Sequence, residues 1–203
     1  MAKKILDLLG GSVGIVIFAI VYLPFAIAIK LDSPGPVIVR LRRVGKNGKQ
    51  FRQLKFRSMI KGAEEALEKD RKLLRRYIKN GFKLEDDERI TRVGLWLRKL
   101  SLDEIPQFLN VLRGDMSLVG PRPRLLLEWD HFVNSAEADQ IRNDVLTFLP
   151  GITGYCQVHG RAHLSFREKI NQDYLYTQEA SFGIDLWVIL QTFLVIFNTN
   201  GAW

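Results

Sequence analysis

Near its amino end the chain carries a run of 22 residues without a charged side chain, from Leu8 to Ile29. As a helix, such a run is long enough to cross a bilayer core of about 30 Å. We therefore interpret it as a membrane element and not as a buried core helix. A cleaved signal peptide is disfavoured, because the run is longer than the apolar region of a usual signal peptide and no clear small-residue cleavage site precedes the next basic stretch.

Positive charges flank this run on both sides. Lys3 and Lys4 precede it, and Lys30 and a basic cluster follow it. The basic cluster, residues 33–62, contains no acid and nine basic residues: Arg40, Arg42, Arg43, Lys46, Lys49, Arg52, Lys55, Arg57 and Lys61. Because positive flanks favour the cytoplasmic side, both ends of the run are drawn to the same side of the membrane.

Pro24 lies well inside the apolar run. It removes one backbone hydrogen bond and clashes with the carbonyl of Ile20, so we expect a kink or a break there. A helix broken at Pro24 could enter one leaflet and return, which would leave both flanks in the cytoplasm. We therefore predict a re-entrant membrane helix over residues 1–32, with an ordinary tilted span as the alternative.

The rest of the chain, residues 33–203, is predicted to form one domain at the membrane surface. The single Cys156 excludes an internal disulfide, and no Cys/His spacing suggests zinc. The basic cluster suits an anionic surface such as phospholipid, nucleotide phosphate or nucleic acid, with a merely solvated basic face as the alternative. Nucleic acid is the least favoured of these, because no groove-reading motif is present and a membrane segment adjoins the cluster.

Local patterns predict a mainly helical α+β domain. Residues 36–59 alternate apolar and basic side chains around the turn sequence Gly45 to Gly48, which indicates a β-hairpin. Residues 61–82 show helical spacing with a stop at Asn80-Gly81, which indicates one exposed amphipathic helix. Residues 186–197 are nearly all apolar but too short to span comfortably. We expect them to lie at the membrane interface, as Trp187 and Trp203 favour, or to pack on the core.

Asp103 and Glu104 stand side by side in the sequence RKLSLDEIPQF, residues 98–108. Ser101 and Glu104 match a capping box, in which the acids would only begin a helix. Pro106 weakens that fit, since with Ser101 as the cap it would occupy the fifth helical position. Alternatively, one carboxylate could attack phosphorus and the other could hold magnesium, with arginines offsetting the phosphoryl charge. Local spacing does not select between these hypotheses.

Two further loops carry candidate arginines. In GPRP, residues 120–123, two prolines fix the backbone and direct Arg122 outward, although a solvated surface arginine fits the same pattern. A glycine-rich segment, residues 149–169, contains Arg161 but lacks the spacing of a known phosphate-binding loop. It is by itself a weak signal, and we interpret it as an irregular loop.

Three segments together resemble the bacterial sugar transferases, the monotopic polyprenyl-phosphate phosphoglycosyl transferases. These are KFRSM at 55–59, the long motif at 89–123 and PGITGYCQVHGR at 150–161. The similarity extends over essentially the whole chain and is greatest to the hexose-transferring branch. The chain looks like the catalytic core of that branch, without the additional amino-terminal transmembrane helices of its larger members. Many members have Ser-Pro at the membrane break, whereas here it is Leu23-Pro24.

The resemblance implies a role for each matching residue. Asp103 would be the nucleophile on the sugar-proximal phosphate of a UDP-sugar, and Glu104 would be the Mg²⁺ ligand. Arg98, Arg122 and Arg161 would bind phosphate, with Arg161 near the nucleotide. Asp185 also matches an acid of the family, with no role assigned.

The resemblance also implies the substrates and the location. The donor would be a UDP-sugar, with galactose or glucose as our expectation, and the acceptor would be undecaprenyl phosphate. The enzyme would lie on the cytoplasmic face of the bacterial inner membrane with both termini in the cytosol, in contact with anionic lipid of the inner leaflet. A homodimer is left open. The competing hypothesis is a non-catalytic membrane adaptor that binds anionic lipid through the basic cluster.

Overall fold

A computed structural model describes residues 1–84, 86–160 and 164–197, with the side chains of 196 and 197 excepted. The chain is a mixed helix and strand protein, mainly helical. The helices are α1 Ala2–Asp32, α2 Ala63–Lys69, α3 Arg71–Lys79, α4 Arg92–Lys99, a 3-10 helix Leu102–Gln107, α5 Phe108–Arg113, α6 Leu126–Phe132, α7 Ala136–Leu146, α8 Tyr155–Val158, α9 Phe166–Glu179 and α10 Phe182–Phe197. The strands are β1 Ile38–Val44, β2 Gln50–Phe56, β3 Ser117–Val119 and β4 Gly151–Thr153.

The hairpin prediction is confirmed. Strands β1 and β2 pair antiparallel with Ile38 opposite Phe56 and Val44 opposite Gln50. The turn between them places Asn47 and Gly48 at positive φ, of 56° and 74°, which asparagine and glycine adopt more readily than other residues. Leu54 and Phe56 of β2 are buried in the core, so the intervening Lys55 faces the opposite side of the ribbon.

The predicted single helix over 61–82 is wrong, because the segment forms the two helices α2 and α3. Asp70 separates them in an extended conformation, and its carboxylate accepts hydrogen bonds from the backbone N–H groups of Lys72 and Leu73. Aspartate at this position favours a new helix start over continuation, since it satisfies donors that the helix itself leaves unpaired. The predicted stop is confirmed, with Gly81 at φ 65°.

Helix α1 continues without a break through Pro24, so of the two expected outcomes the broken helix is not observed. At 31 residues its length is about 46 Å. By length and composition it is the one helix among the described residues that could cross a membrane. The re-entrant path stays a prediction.

The whole length of α1 packs against the rest of the protein. At its start, Lys3 Nζ donates to the Val119 carbonyl at 2.9 Å. In its middle, Gly14 allows a close approach, because a Cβ there would lie 2.1 Å from the Phe108 ring. At its end, the Arg57 guanidinium donates to the carbonyls of Ile29 and Ser33. Both ends of the helix therefore touch the same domain.

An apolar surface remains exposed on the outer side of α1 and α10. Its large exposed side chains are Ile5, Leu8, Leu9, Val13, Val16, Ile17, Ile20, Leu23, Ile27 and Leu31 on α1, and Phe182, Leu186, Trp187, Leu190, Phe193, Leu194 and Val195 on α10. So many exposed large apolar side chains on two helices in contact are unusual for a soluble monomer and are typical of a surface that meets lipid or another protein. Trp187 is exposed on this surface, the interfacial position of the segment stays a prediction, and Trp203 lies outside the described residues.

The segment interpreted as an irregular loop contains regular structure. Residues 149–169 include β4, α8 and the start of α9, and β4 pairs parallel with β3. The pairing is only three residues long on each strand, which is too short to produce an alternation pattern in the sequence. It places GPRP directly after β3, next to the core formed around Val119, Tyr155 and Tyr176.

Candidate active site

Asp103 and Glu104 lie in the first turn of the 3-10 helix Leu102–Gln107. The capping-box alternative is wrong for this turn. Ser101 has a left-handed backbone with φ 55°, and its side chain makes no capping hydrogen bond. In a capping box the Ser101 N–H would donate to the Glu104 carboxylate. Here it donates to the Arg98 carbonyl at 3.0 Å. The turn therefore holds the two acids side by side without the capping role that the local pattern suggested.

Both carboxylates are largely withdrawn from solvent and share one cation. Asp103 is 4% exposed and Glu104 is 9% exposed. Lys55 Nζ lies 2.8 Å from Glu104 Oε1 and 3.3 Å from Asp103 Oδ2. Buried carboxylates are costly unless a positive charge compensates them, and Lys55 supplies that charge. Lys55 was not predicted as a site residue, although its position between buried Leu54 and Phe56 on β2 was a usable signal.

Arg98 reaches the site from α4, the helix that precedes the acids. Its Nε donates to Ser58 Oγ at 2.8 Å. Burial lowers the pKa of Arg98 below its ordinary value, and the nearby Asp103 acts in the opposite direction. Gly94 permits this arrangement, since a Cβ at that position would lie 2.0 Å from the Ser58 carbonyl oxygen. The close packing of α4 on the end of β2 therefore positions the guanidinium.

Arg122 approaches the acids from the GPRP loop, with its Nη1 3.9 Å from Glu104 Oε1. Its side chain is 31% exposed, so it borders the site instead of pointing fully into solvent. Burial alone would lower the pKa of Arg122, but Glu104 and other neighbouring acids outweigh that effect and raise it. A permanently charged guanidinium at the edge of a cavity is well suited to binding phosphate.

Asp173 of α9 holds the GPRP loop from behind. It is fully buried and accepts a hydrogen bond from the Arg122 backbone N–H at 3.2 Å. It also forms an ion pair with the guanidinium of Arg124, which is 3% exposed. Burial raises the pKa of Asp173 above its ordinary value, and Arg124 opposes that shift. Neither Asp173 nor Arg124 was predicted to belong to the site.

A cavity of about 860 Å³, which we call the dyad cavity, lies beside the two acids. Asp103, Glu104, Lys55, Arg98 and Arg122 all face it. A second cavity of about 1130 Å³, which we call the annex cavity, adjoins it and includes Arg98, Tyr77 and Phe82 in its wall. Four of the residues predicted from the sequence, Asp103, Glu104, Arg98 and Arg122, are therefore brought together.

Two further predicted site residues, Arg161 and Asp185, remain to be placed. Arg161 lies outside the described residues. Asp185 is buried at the start of α10, where it accepts hydrogen bonds from Lys3 Nζ at 2.8 Å and from the Tyr176 hydroxyl at 2.7 Å. It does not line either cavity. Among the contacts described, Asp185 ties the start of α1 to α10 and makes no contact with the acids.

The acids offer a donor set that fits magnesium only in part. In residues 1–84, 86–160 and 164–197, no group of three or more His, Cys, Asp or Glu side chains converges as a metal site. Magnesium, however, is commonly held by one or two carboxylates together with water and substrate phosphate. Asp103 and Glu104 can supply two such carboxylates at the cavity wall. Their oxygen donors therefore fit a magnesium site that a bound phosphate completes.

Comparison with known proteins supplies the family. The family model described as bacterial sugar transferase matches residues 1–199. The whole of this chain aligns with galactosyl transferase CpsE of Streptococcus agalactiae at 42% identity, and the alignment covers 43% of that protein. It is 36% identical to exopolysaccharide production protein ExoY of Rhizobium meliloti, covering 100% of this chain and 88% of that protein.

A third relative carries its reaction in its name. The UDP-glucose:undecaprenyl-phosphate glucose-1-phosphate transferase of Escherichia coli is 35% identical over 100% of this chain, which covers 42% of that protein. The chain thus spans less than half of the length of several curated relatives that it matches and most of the length of others. The chain belongs to the bacterial sugar transferase family.

Proposed function

We propose that this chain transfers a sugar-1-phosphate from a UDP-sugar to undecaprenyl phosphate. The observation that carries the proposal is the pair of buried carboxylates at the wall of a strongly cationic cavity, Asp103 and Glu104 with Lys55, Arg98 and Arg122. The names of relatives that act on undecaprenyl phosphate support the same reaction class. The match to a transferase family over nearly the whole chain favours this function over the non-catalytic adaptor.

The proposed reaction has two displacements at one phosphorus atom. A carboxylate oxygen of Asp103 attacks the sugar-proximal phosphorus, and the bond from that phosphorus to the bridging oxygen breaks to release UMP. A phosphate oxygen of undecaprenyl phosphate then attacks the same phosphorus, and the bond to Asp103 breaks. The product is undecaprenyl-diphospho-sugar, and the aspartate is regenerated unchanged. The proposed product would begin assembly of a polysaccharide or other glycoconjugate at the membrane.

The cations around Asp103 suit this chemistry. Phosphoryl transfer depends mainly on positioning and on offsetting the charge of the oxygens around phosphorus. Arg98 and Arg122 reach the cavity from two different elements, so they could contact the two phosphates of one donor. Lys55 contacts both acids, so it orients Asp103 and offsets the negative charge of the pair. Magnesium held by Glu104 would further offset the phosphate charge.

The packing of α1 supports a location at one membrane face. Both ends of α1 contact the same domain, through Lys3 at one end and Ile29 and Ser33 at the other. A straight span would separate those ends by the thickness of the bilayer. We infer that α1 enters the inner leaflet with its exposed apolar side and that both flanks stay cytoplasmic, where a soluble UDP-sugar and a lipid phosphate can meet.

Release of UMP tests the function. The purified protein in detergent with Mg²⁺ is mixed with a panel of UDP-sugars, with or without undecaprenyl phosphate. We expect up to one UMP per protein without the lipid and repeated turnover with it, most readily from UDP-galactose or UDP-glucose. Absence of UMP release from every donor would contradict the proposed function. If UMP were released only when undecaprenyl phosphate is present, with no first release of up to one UMP per protein in its absence, the covalent intermediate would be contradicted.

Cysteine labelling tests the topology. Ala2→Cys and Ile60→Cys are made singly and treated in whole cells with a thiol reagent that does not cross membranes. We expect labelling of both positions only after the cells are opened. The parent chain, whose one cysteine is buried Cys156, serves as the control. Labelling of Ala2→Cys but not Ile60→Cys in intact cells would show that α1 spans the membrane.

A further inference from the structure

The annex cavity adjoins the dyad cavity, and the two share part of their walls. Residues that line both include Arg43, Glu64, Tyr77, Phe82 and Arg98. Arg98 is thus common to the wall beside Asp103 and to the annex. A group attached to a phosphate at Asp103 would therefore lie next to the annex, with Arg98 beside both. Its volume of about 1130 Å³ is ample for a hexose or a nucleoside.

The two cavities differ in charge. Among residues 1–84, 86–160 and 164–197, ten Lys or Arg residues and five Asp or Glu residues line the dyad cavity. Counted over the same described ranges, six Lys or Arg residues and five Asp or Glu residues line the annex cavity, and there Arg89 is paired with Asp87 at 2.7 Å. The diphosphate of a nucleotide sugar is therefore drawn to the dyad cavity. The nearly neutral annex, with its carboxylate acceptors, suits an uncharged group that carries hydroxyls.

The donor has two uncharged groups that could enter the annex, the sugar and the nucleoside. The order of the two displacements favours the sugar. Attacking and leaving oxygens lie roughly in line at phosphorus. UMP therefore departs opposite Asp103, and the lipid phosphate must later attack from the position that UMP has left. Pro36 and Ile38, just beyond α1, line the dyad cavity, whereas the described wall of the annex begins only at Leu41. The lipid and UMP thus share the side near the end of α1, which leaves the annex for the sugar.

An aromatic wall at the junction supports this assignment. Phe82 has a left-handed backbone with φ 63°, which is rare for a bulky residue and is commonly retained at functional positions. Its ring centroid lies 4.4 Å from that of Phe166 and 5.6 Å from that of Tyr77. Aromatic side chains together with a few polar groups are typical of small-molecule sites.

We propose that the annex cavity is the sugar subsite of this enzyme. It takes the hexose ring of the donor, with carboxylates such as Glu64, Glu68 and Asp86 accepting hydrogen bonds from sugar hydroxyls and with Phe82 and Tyr77 against the apolar side of the ring. The inference rests on the proposed function. It makes the annex the part of the protein that distinguishes one UDP-sugar from another.

The test separates the sugar from the nucleotide. Leu126 is exposed and lines only the annex, so Leu126→Trp should narrow the annex without disturbing the core. We expect KM for UDP-hexoses to rise about tenfold or more, with the preference among UDP-sugars changed, while inhibition by UMP stays within about twofold of the parent. Leu175→Trp, an exposed position on α9 that lines neither cavity, is the matched control and should change neither quantity.

Each alternative result overturns the assignment. A parallel loss of UMP inhibition would place the nucleoside in the annex, and unchanged donor kinetics would show that the annex is not used. If Leu126→Trp does not fold, Glu68→Gln replaces it. Glu68 is exposed and, of the two cavities, lines only the annex, and the substitution removes only the charged carboxylate that would accept hydrogen bonds from the sugar. Failure of the parent protein to release UMP from any donor would instead contradict the proposed function itself.

Discussion

Replacing Asp103 with asparagine should lower the rate of UMP release at least about a thousandfold, since the side chain retains its shape but loses its nucleophilic oxygen. Lys55 keeps its 2.8 Å contact with Glu104 in the variant, so the fold should be little changed. The measurement is UMP release in the first turnover, without lipid acceptor, together with the thermal unfolding midpoint. A loss of rate with an unchanged midpoint would identify a chemical role.

Asp130→Asn provides the matched control for this experiment. Asp130 is an exposed aspartate that lines neither cavity. The same chemical change there should leave the first turnover within about twofold of the parent, as is usual for surface substitutions. Wild-type turnover in Asp103→Asn would show that another group attacks phosphorus and would refute the assignment of the nucleophile.

Replacing Asp173 with asparagine should lower the free energy of unfolding by about 3–5 kcal/mol, because it leaves the buried Arg124 guanidinium without its counter-charge. An asparagine oxygen could still accept from the Arg122 N–H, but its amide would present donors to a cation. Denaturant unfolding in detergent measures the change. Since Asp173 also holds the Arg122 backbone, weaker donor binding should accompany the loss of stability.

A surface pair gives the comparison for Asp173. Asp139 and Arg142 on α7 lie 2.6 Å apart but are 44% and 32% exposed. Asp139→Asn should cost less than about 1 kcal/mol, since solvent screens an exposed pair. Adding Arg124→Met to Asp173→Asn should recover part of the stability, because it removes the unpaired charge. An Asp173→Asn variant as stable as Asp139→Asn would contradict the importance of the buried pair.

Features that depend on neighbouring residues were accessible from the sequence. The apolar run predicted α1, the alternation around Gly45 to Gly48 predicted the hairpin, and Asn80-Gly81 predicted the end of α3. The helix break at Asp70 was also local. Aspartate ahead of a helical segment is a strong start signal, which the apolar spacing of 61–82 concealed.

Local sequence patterns did not predict the whole candidate site. Asp103, Glu104, Arg98 and Arg122 were predicted chiefly from a long family motif, and the structure brings them to one cavity. The residues that hold them in place, Lys55, Asp173 and Arg124, were not predicted as site residues from that motif. Lys55 lies 48 residues before Asp103 and reaches it because its side chain lies on the face of β2 that is turned toward the acids. That orientation depends on the pairing of β2 with β1 and on the packing of the other face of β2 in the core.

The sequence by itself determined the elements: an apolar helix that begins with two lysines, a basic hairpin, and two adjacent acids at a helix start. Three further features were visible only in the folded protein: α1 lies along the domain with both ends attached, Asp185 binds Lys3, and Asp173 pairs with Arg124 behind the GPRP loop. The physical reason is the range of the interactions. Turns, caps and periodicity depend on residues a few positions apart, whereas these ion pairs join residues 49 to 182 positions apart and form only when packing brings them together.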